Sequence, residues 1–161
     1  MSTGWMGRWI GGWELSTLTT IHSGPAYGVT TQTNNCNCFS AGSQRANIIG
    51  DISLPSGQQS PQHWFNTSAF AQPAPNTLGN ASRSVGWSPG AATVDFAMMK
   101  NFQPLDRIRI QFRAELFNSL NHPNFNVPNT SFGAAAFGTI TSIINTPAPG
   151  RVIQLGLKIY F

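Results

Sequence analysis

Residues Arg107 to Asn118 read RIRIQFRAELFN. Ile108, Ile110, Phe112, Ala114 and Leu116 fall on one side of an extended chain. Arg107, Arg109, Gln111, Arg113 and Glu115 fall on the other. Successive side chains of a strand point to opposite faces, so this alternation predicts a β-strand with one apolar and one polar face. The fold turns on what the apolar face meets, a protein core or lipid.

Upstream, ATVDFAMMKNF (92–102) alternates in the same way, with Val94, Phe96 and Met98 opposite Asp95, Ala97 and Met99. Gln103-Pro104-Leu105-Asp106 between them predicts a short turn with Pro at its second position, and so a hairpin. The chain ends RVIQLGLKIYF (151–161): Ile153, Leu155, Leu157, Ile159 and Phe161 share a face against Gln154, Gly156, Lys158 and Tyr160. Near the start, RWIGGWELSTLTTIH (8–22) alternates less cleanly, but Trp13, Leu15 and Ile21 share a face and the Thr content favours strand. The expectation is an all-β, antiparallel meander of about four strands near 8–22, 92–102, 106–119 and 151–161. The short run FGTITSII is expected to extend a neighbouring strand.

Residues 23–91 hold most of the prolines, many Asn and Ser, and repeated turn pairs, and read as one long loop. Loops of that length are usually functional or disordered. HWFNTSAF (63–70) carries three large aromatics, expected to pack the loop down rather than to bind a ligand. A second loop follows the hairpin, from about residue 120 to 150. Cys36 and Cys38 are too close for the usual zinc pair and lack further ligands. They read as small loop residues, with a loop disulfide as the alternative.

Only 9% of residues are charged, against about 25% in an average domain. Asn, Ser, Thr, Gln, Gly and Pro take their place, a composition suited to strands and turns rather than helices. The net charge of +4 is scattered apart from Arg107, Arg109 and Arg113, so no nucleic-acid partner is expected. No apolar run reaches the roughly 18 residues of a spanning helix. The first residues lack an apolar h-region, which predicts no signal peptide there. The five acidic residues and three histidines are dispersed, and no nucleophile elbow, phosphate loop or metal spacing occurs. The chain is not expected to be an enzyme or to carry a cofactor.

A soluble sandwich would need a second sheet of inward-facing residues, and the remaining sequence is mostly loop. A transmembrane β-barrel places the apolar faces against lipid and the polar faces against the lumen. Its strands of about 9–11 residues suit the third and last strands. The alternation of long, short and long connections suits one outer and one inner rim. Trp5, Trp9, Trp13, Phe102, Tyr160 and Phe161 would then form an inner aromatic girdle. Arg107, Arg109, Arg113 and Glu115 become a lumen-facing charged row. It reads first as cross-strand pairing, with Asp95 or Glu14 as partners. Contact with a plug or an anionic substrate is the functional alternative. The fold expected is a partial transmembrane β-barrel with long outer loops, in the outer membrane of a Gram-negative-type bacterium.

The terminal QLGLKIYF resembles the β-signal that ends outer-membrane proteins, with Gln154, Gly156, Ile159 and Phe161 at its defined places. More broadly, GWELSTLTTIHSGPAYGV, HWFNTSAFAQPAP, LGNASRSVGWSPG, VDFAMMKNF, RIRIQFRAELFNSLNHPNF, FGTIT and LGLKIYF occur in the order of the C-terminal end of TonB-dependent receptors. The resemblance is to the Oar-like group with a carboxypeptidase-regulatory-like front domain. It implies an assembly signal read by the barrel-assembly machinery, contact with outer-membrane lipid, and a barrel of about 22 strands around a plug. It also implies TonB as a partner, acting through the amino-terminal part. This stretch supplies about four strands, and none of the plug, TonB box or export signal. The expectation is therefore a C-terminal fragment of such a receptor, without independent transport. Two alternatives are a four-strand subunit of a trimeric outer-membrane barrel and a soluble secreted β-rich binding module.

Overall fold

The computed structural model describes residues 10–38, 42–144 and 149–161. In chain order the strands are β1 (Trp13–His22), β2 (Ala26–Tyr27), β3 (Thr30–Thr31), β4 (Asn47–Ile48) and β5 (Phe70–Ala71). They continue with β6 (Gly86–Trp87), β7 (Ala91–Leu105), β8 (Ile108–Phe117), β9 (Ser131–Phe132) and β10 (Val152–Tyr160). Two compact units result: one holds the long strands, and the other gathers residues 22–91 and 124–144.

The long strands form one open four-stranded sheet in the order β1-β7-β8-β10, a meander in chain order. β7 and β10 both pair antiparallel with β8. The register keeps the two faces continuous. Leu116, Ala114, Phe112 and Ile110 stand opposite Ile153, Leu155, Leu157 and Ile159 on one face. Glu115, Arg113, Gln111 and Arg109 stand opposite Gln154, Gly156, Lys158 and Tyr160 on the other. Gly12, at φ 76°, directly precedes β1. Arg8, together with Trp5 and Trp9 of the expected girdle, lies outside the described residues.

The hairpin differs in detail from the expectation. β7 runs on through Leu105, and the turn is the two-residue step Asp106-Arg107, closed by Leu105 opposite Ile108. The register shifts between Phe102 and Leu105. Pro104 has no N–H to give to the ladder, so the strand accommodates it at an irregularity instead of turning there. Arg107 is consequently a turn residue rather than a member of the strand.

Beyond β8 the chain is clamped by Asn118, which is almost fully buried at φ 49°. Its backbone N–H donates to the Asp95 carboxylate at 2.8 Å. Its side-chain amide donates to the His122 carbonyl at 3.0 Å and accepts from the His122 N–H at 3.1 Å. The Ser119 N–H and hydroxyl both donate to the Val94 carbonyl at 2.7 Å. Asn121 accepts from the Arg151 N–H at 3.0 Å. The string FNSLNH thus satisfies the backbone at the strand end through its own amides.

The loop unit has its own core of Tyr27, Val29, Ala46, Phe65, Ala69 and Phe70. Phe65 is its hub: it stacks on Tyr27 at 5.3 Å and meets Phe70 and Phe137 edge-on at 5.6 and 5.2 Å. HWFNTSAF therefore packs the loop down, as expected. FGTITSII does not extend a strand. Phe137 enters this core, Gly138 donates to Asn129, and Ile140 donates to the Pro61 carbonyl. Among the described residues the ladders here are two residues long (β2 with β6, β3 with β9, β4 with β5), and β3–β9 is parallel. Further backbone–backbone bonds, such as Ala46 N–H to the Val29 carbonyl at 3.2 Å, lie outside these ladders, and side-chain amides supply other partners. Buried Gln44 donates to the Thr77 carbonyl at 2.8 Å and accepts from the Asn35 N–H at 3.0 Å. Asn66 caps the 3₁₀ turn Thr67–Ala69 and donates to the Asp51 carbonyl. This use of amides is where the uncharged polar composition goes. Cys36 and Cys38 are joined as a disulfide with Cα atoms 5.1 Å apart, so the alternative reading of this pair replaces the favoured one.

Candidate functional site

The apolar face of the sheet is open. Leu155 is 68% and Leu157 67% exposed, and Leu15, Ile21, Ile153 and Ile159 are also exposed. A soluble chain rarely leaves so contiguous an apolar surface uncovered. Lys100 belongs to this face, opposite Phe112 on β8. It is only 1% exposed, with its ammonium 4.8 Å from the Trp13 ring centre and 5.1 Å from that of Phe102. Trp13 also meets Phe112 edge-on at 6.5 Å. A cation held under aromatic rings beside the hairpin turn fits the rim of an apolar belt, where amphipathic side chains concentrate.

The polar face carries the sequence-predicted charged residues. Arg113 pairs with Glu115 at 2.6 Å on its own strand, and Asp95 is engaged by the Asn118 N–H, so the expected cross-strand partner is replaced by a neighbour two residues on. Arg109 lies 5.0 Å over the Tyr160 ring, and Lys158 lies 4.8 Å from the same ring. Gln111 donates to Asn101 across β7 and β8 at 3.1 Å. Arg107, in the turn, stands apart from this row. Gln154, Gly156 and Ile159 lie in β10, at one edge of the sheet, and Phe161 follows it fully exposed.

In the loop unit a cavity of ≈ 230 Å³ is lined by Tyr27, Gln59, Trp64, Phe65, Gly86 and Trp87, among others. Composition and periodicity could not reveal it, because its walls come from five separate stretches of an irregular loop. Burial pushes the Tyr27 phenol up to about 12. Among the described residues no group of three or more His, Cys, Asp or Glu side chains is placed to hold a metal ion. No helix among them is long and apolar enough to cross a membrane, a criterion that does not bear on strands.

An open sheet with one lipid-suited face, one polar face, a tight hairpin on one side and long connections on the other defines a membrane-spanning β-barrel element. The chain belongs to the outer membrane β-barrel domain family, whose profile matches residues 1–154. No curated protein and no solved structure matches it significantly. Membership places the chain in the outer membrane as a β-barrel domain, of a kind not expected to be catalytic. It also sets aside the soluble secreted module.

Proposed function

We propose that the chain is the C-terminal part of the barrel of a TonB-dependent outer-membrane receptor, of the Oar-like group. It contributes wall strands and the assembly signal and does not transport on its own. The observation that carries this reading is the closing strand. β10 lies at a sheet edge, aligns its apolar residues with those of β8, and carries the stretch QLGLKIYF that resembles a β-signal. Four strands cannot close a barrel, since even small ones need about eight, and an open edge in lipid leaves backbone groups unpaired. On this reading the free edges of β1 and β10 pair with strands from the amino-terminal part of the same receptor. That part also brings the plug and the contact with TonB. Gln154, Gly156, Ile159 and Phe161 are the residues recognised by the barrel-assembly machinery, and Arg109, Arg113 and Glu115 face the lumen.

Antibodies raised against residues 42–91 provide the test, applied to outer-membrane fractions. The expected result is a heat-modifiable band several times the 17.4 kDa of this chain. A band at the chain's own mass after boiling, running as a trimer before it, would instead establish the three-chain barrel.

A further inference from the structure

We propose that the cavity of the loop unit is a binding site for one ring of a neutral sugar. The first observation is Trp87, whose large indole is 67% exposed although it lines the cavity. An exposed indole offers a flat apolar face that gains from being covered by the C–H face of a pyranose.

The second is the Tyr27 hydroxyl. Tyr27 is 8% exposed and lines the cavity, yet among the described residues nothing hydrogen-bonds its hydroxyl. The hydroxyl sits against Gly86, where even a methyl group would come within 2.6 Å of it. Both of its roles, donor and acceptor, match those of a sugar hydroxyl.

The third is charge and size. None of the lining residues is charged, which disfavours an ionic ligand. At ≈ 230 Å³ the cavity is below the roughly 300 Å³ at which drug-sized ligands are usually held, so it suits one ring rather than a chain. The walls are also held in place before any ligand arrives. Trp64 donates its indole N–H to the Trp87 carbonyl at 2.9 Å, and Gln59 donates its side-chain amide to the Trp64 carbonyl at 3.0 Å. Such preorganisation lowers the cost of binding. The inference uses the loop unit alone and stands apart from the receptor reading.

The test uses the full chain refolded in a detergent without a sugar headgroup. Cellotetraose, maltotetraose and a mannose tetramer are titrated in, with tryptophan fluorescence as the readout. At least one of them is expected to give a saturable change with a midpoint below about 1 mM. Tyr27→Phe keeps the ring and its packing and should weaken that binding about fivefold. Trp87→Ala should weaken it about tenfold. Far-UV circular dichroism should match the parent chain in both variants. The absence of a saturable response to all three sugars would overturn the proposal, as would unchanged affinity in either variant. Tighter binding of a phenylalanine-containing tetrapeptide or of a uronic-acid tetramer would overturn it as well.

Discussion

Asn118 carries more of the fold than its small side chain suggests. It combines a left-handed backbone with three hydrogen bonds in a nearly dry site, which Asn tolerates and most residues do not. Asn118→Ala keeps the backbone bond to Asp95 and removes both side-chain bonds to His122. It should cost roughly 2–3 kcal/mol, seen as a lower denaturant midpoint of the protein refolded in detergent. Tyr27 gives a second residue-level prediction. Its phenol is raised to about 12 when folded, against about 10 when unfolded. Between those values the unfolded state has lost the proton and the folded state still holds it, so stability is intact below pH 10 and falls as pH rises toward 12. The loss in the loop unit should be on the order of 2 kcal/mol. Tyr27→Phe should flatten that alkaline decline in denaturant titrations; an unchanged decline would show that another group causes it.

Strands β8 and β10 make the lipid assignment testable face by face. Leu157→Arg puts a charge on the apolar face and should cost about 2–4 kcal/mol if that position lies near the bilayer midplane. Gln111→Arg, on the opposite face, should be nearly neutral. Reversible unfolding from phosphatidylcholine vesicles compares the two, and equal costs would remove the lipid assignment. The loop unit makes a different element-level demand. Phe65 joins Tyr27, Phe70 and Phe137 into one aromatic cluster, so Phe65→Ala should cost about 3–5 kcal/mol there. Limited proteolysis should then cut residues 42–91 that resist in the parent chain.

At the scale of the whole molecule, the open order β1-β7-β8-β10 means that the sheet does not enclose a lumen. The isolated chain in a planar bilayer should therefore give no regular single-channel conductance. Stable conductance steps would favour closure by several copies of the chain. The low charge content also acts at this scale: with 9% charged residues, the side-chain hydrogen bonds to backbone groups come largely from amides and hydroxyls rather than charged groups.

Much of this was legible in RIRIQFRAELFN and its two neighbours in the sheet, because a strand's period of two assigns every residue to a face once any one is assigned. The sequence alone determined the long strands, their faces, the hairpin and the packing role of HWFNTSAF. It could not place the turn at Asp106-Arg107, since Pro104 fits a turn and a strand irregularity equally well until the register is known. It also could not turn residues 22–91 and 124–144 into a unit with a core and a cavity. Those contacts join residues far apart in the chain, with no periodicity to announce them. Tertiary structure decided as well that Asp95 accepts from the Asn118 N–H and that Lys100 is sheltered by Trp13. The physical reason is the same in each case: alternation is a local property of an extended backbone, whereas partner choice depends on which distant groups the folded chain brings within reach.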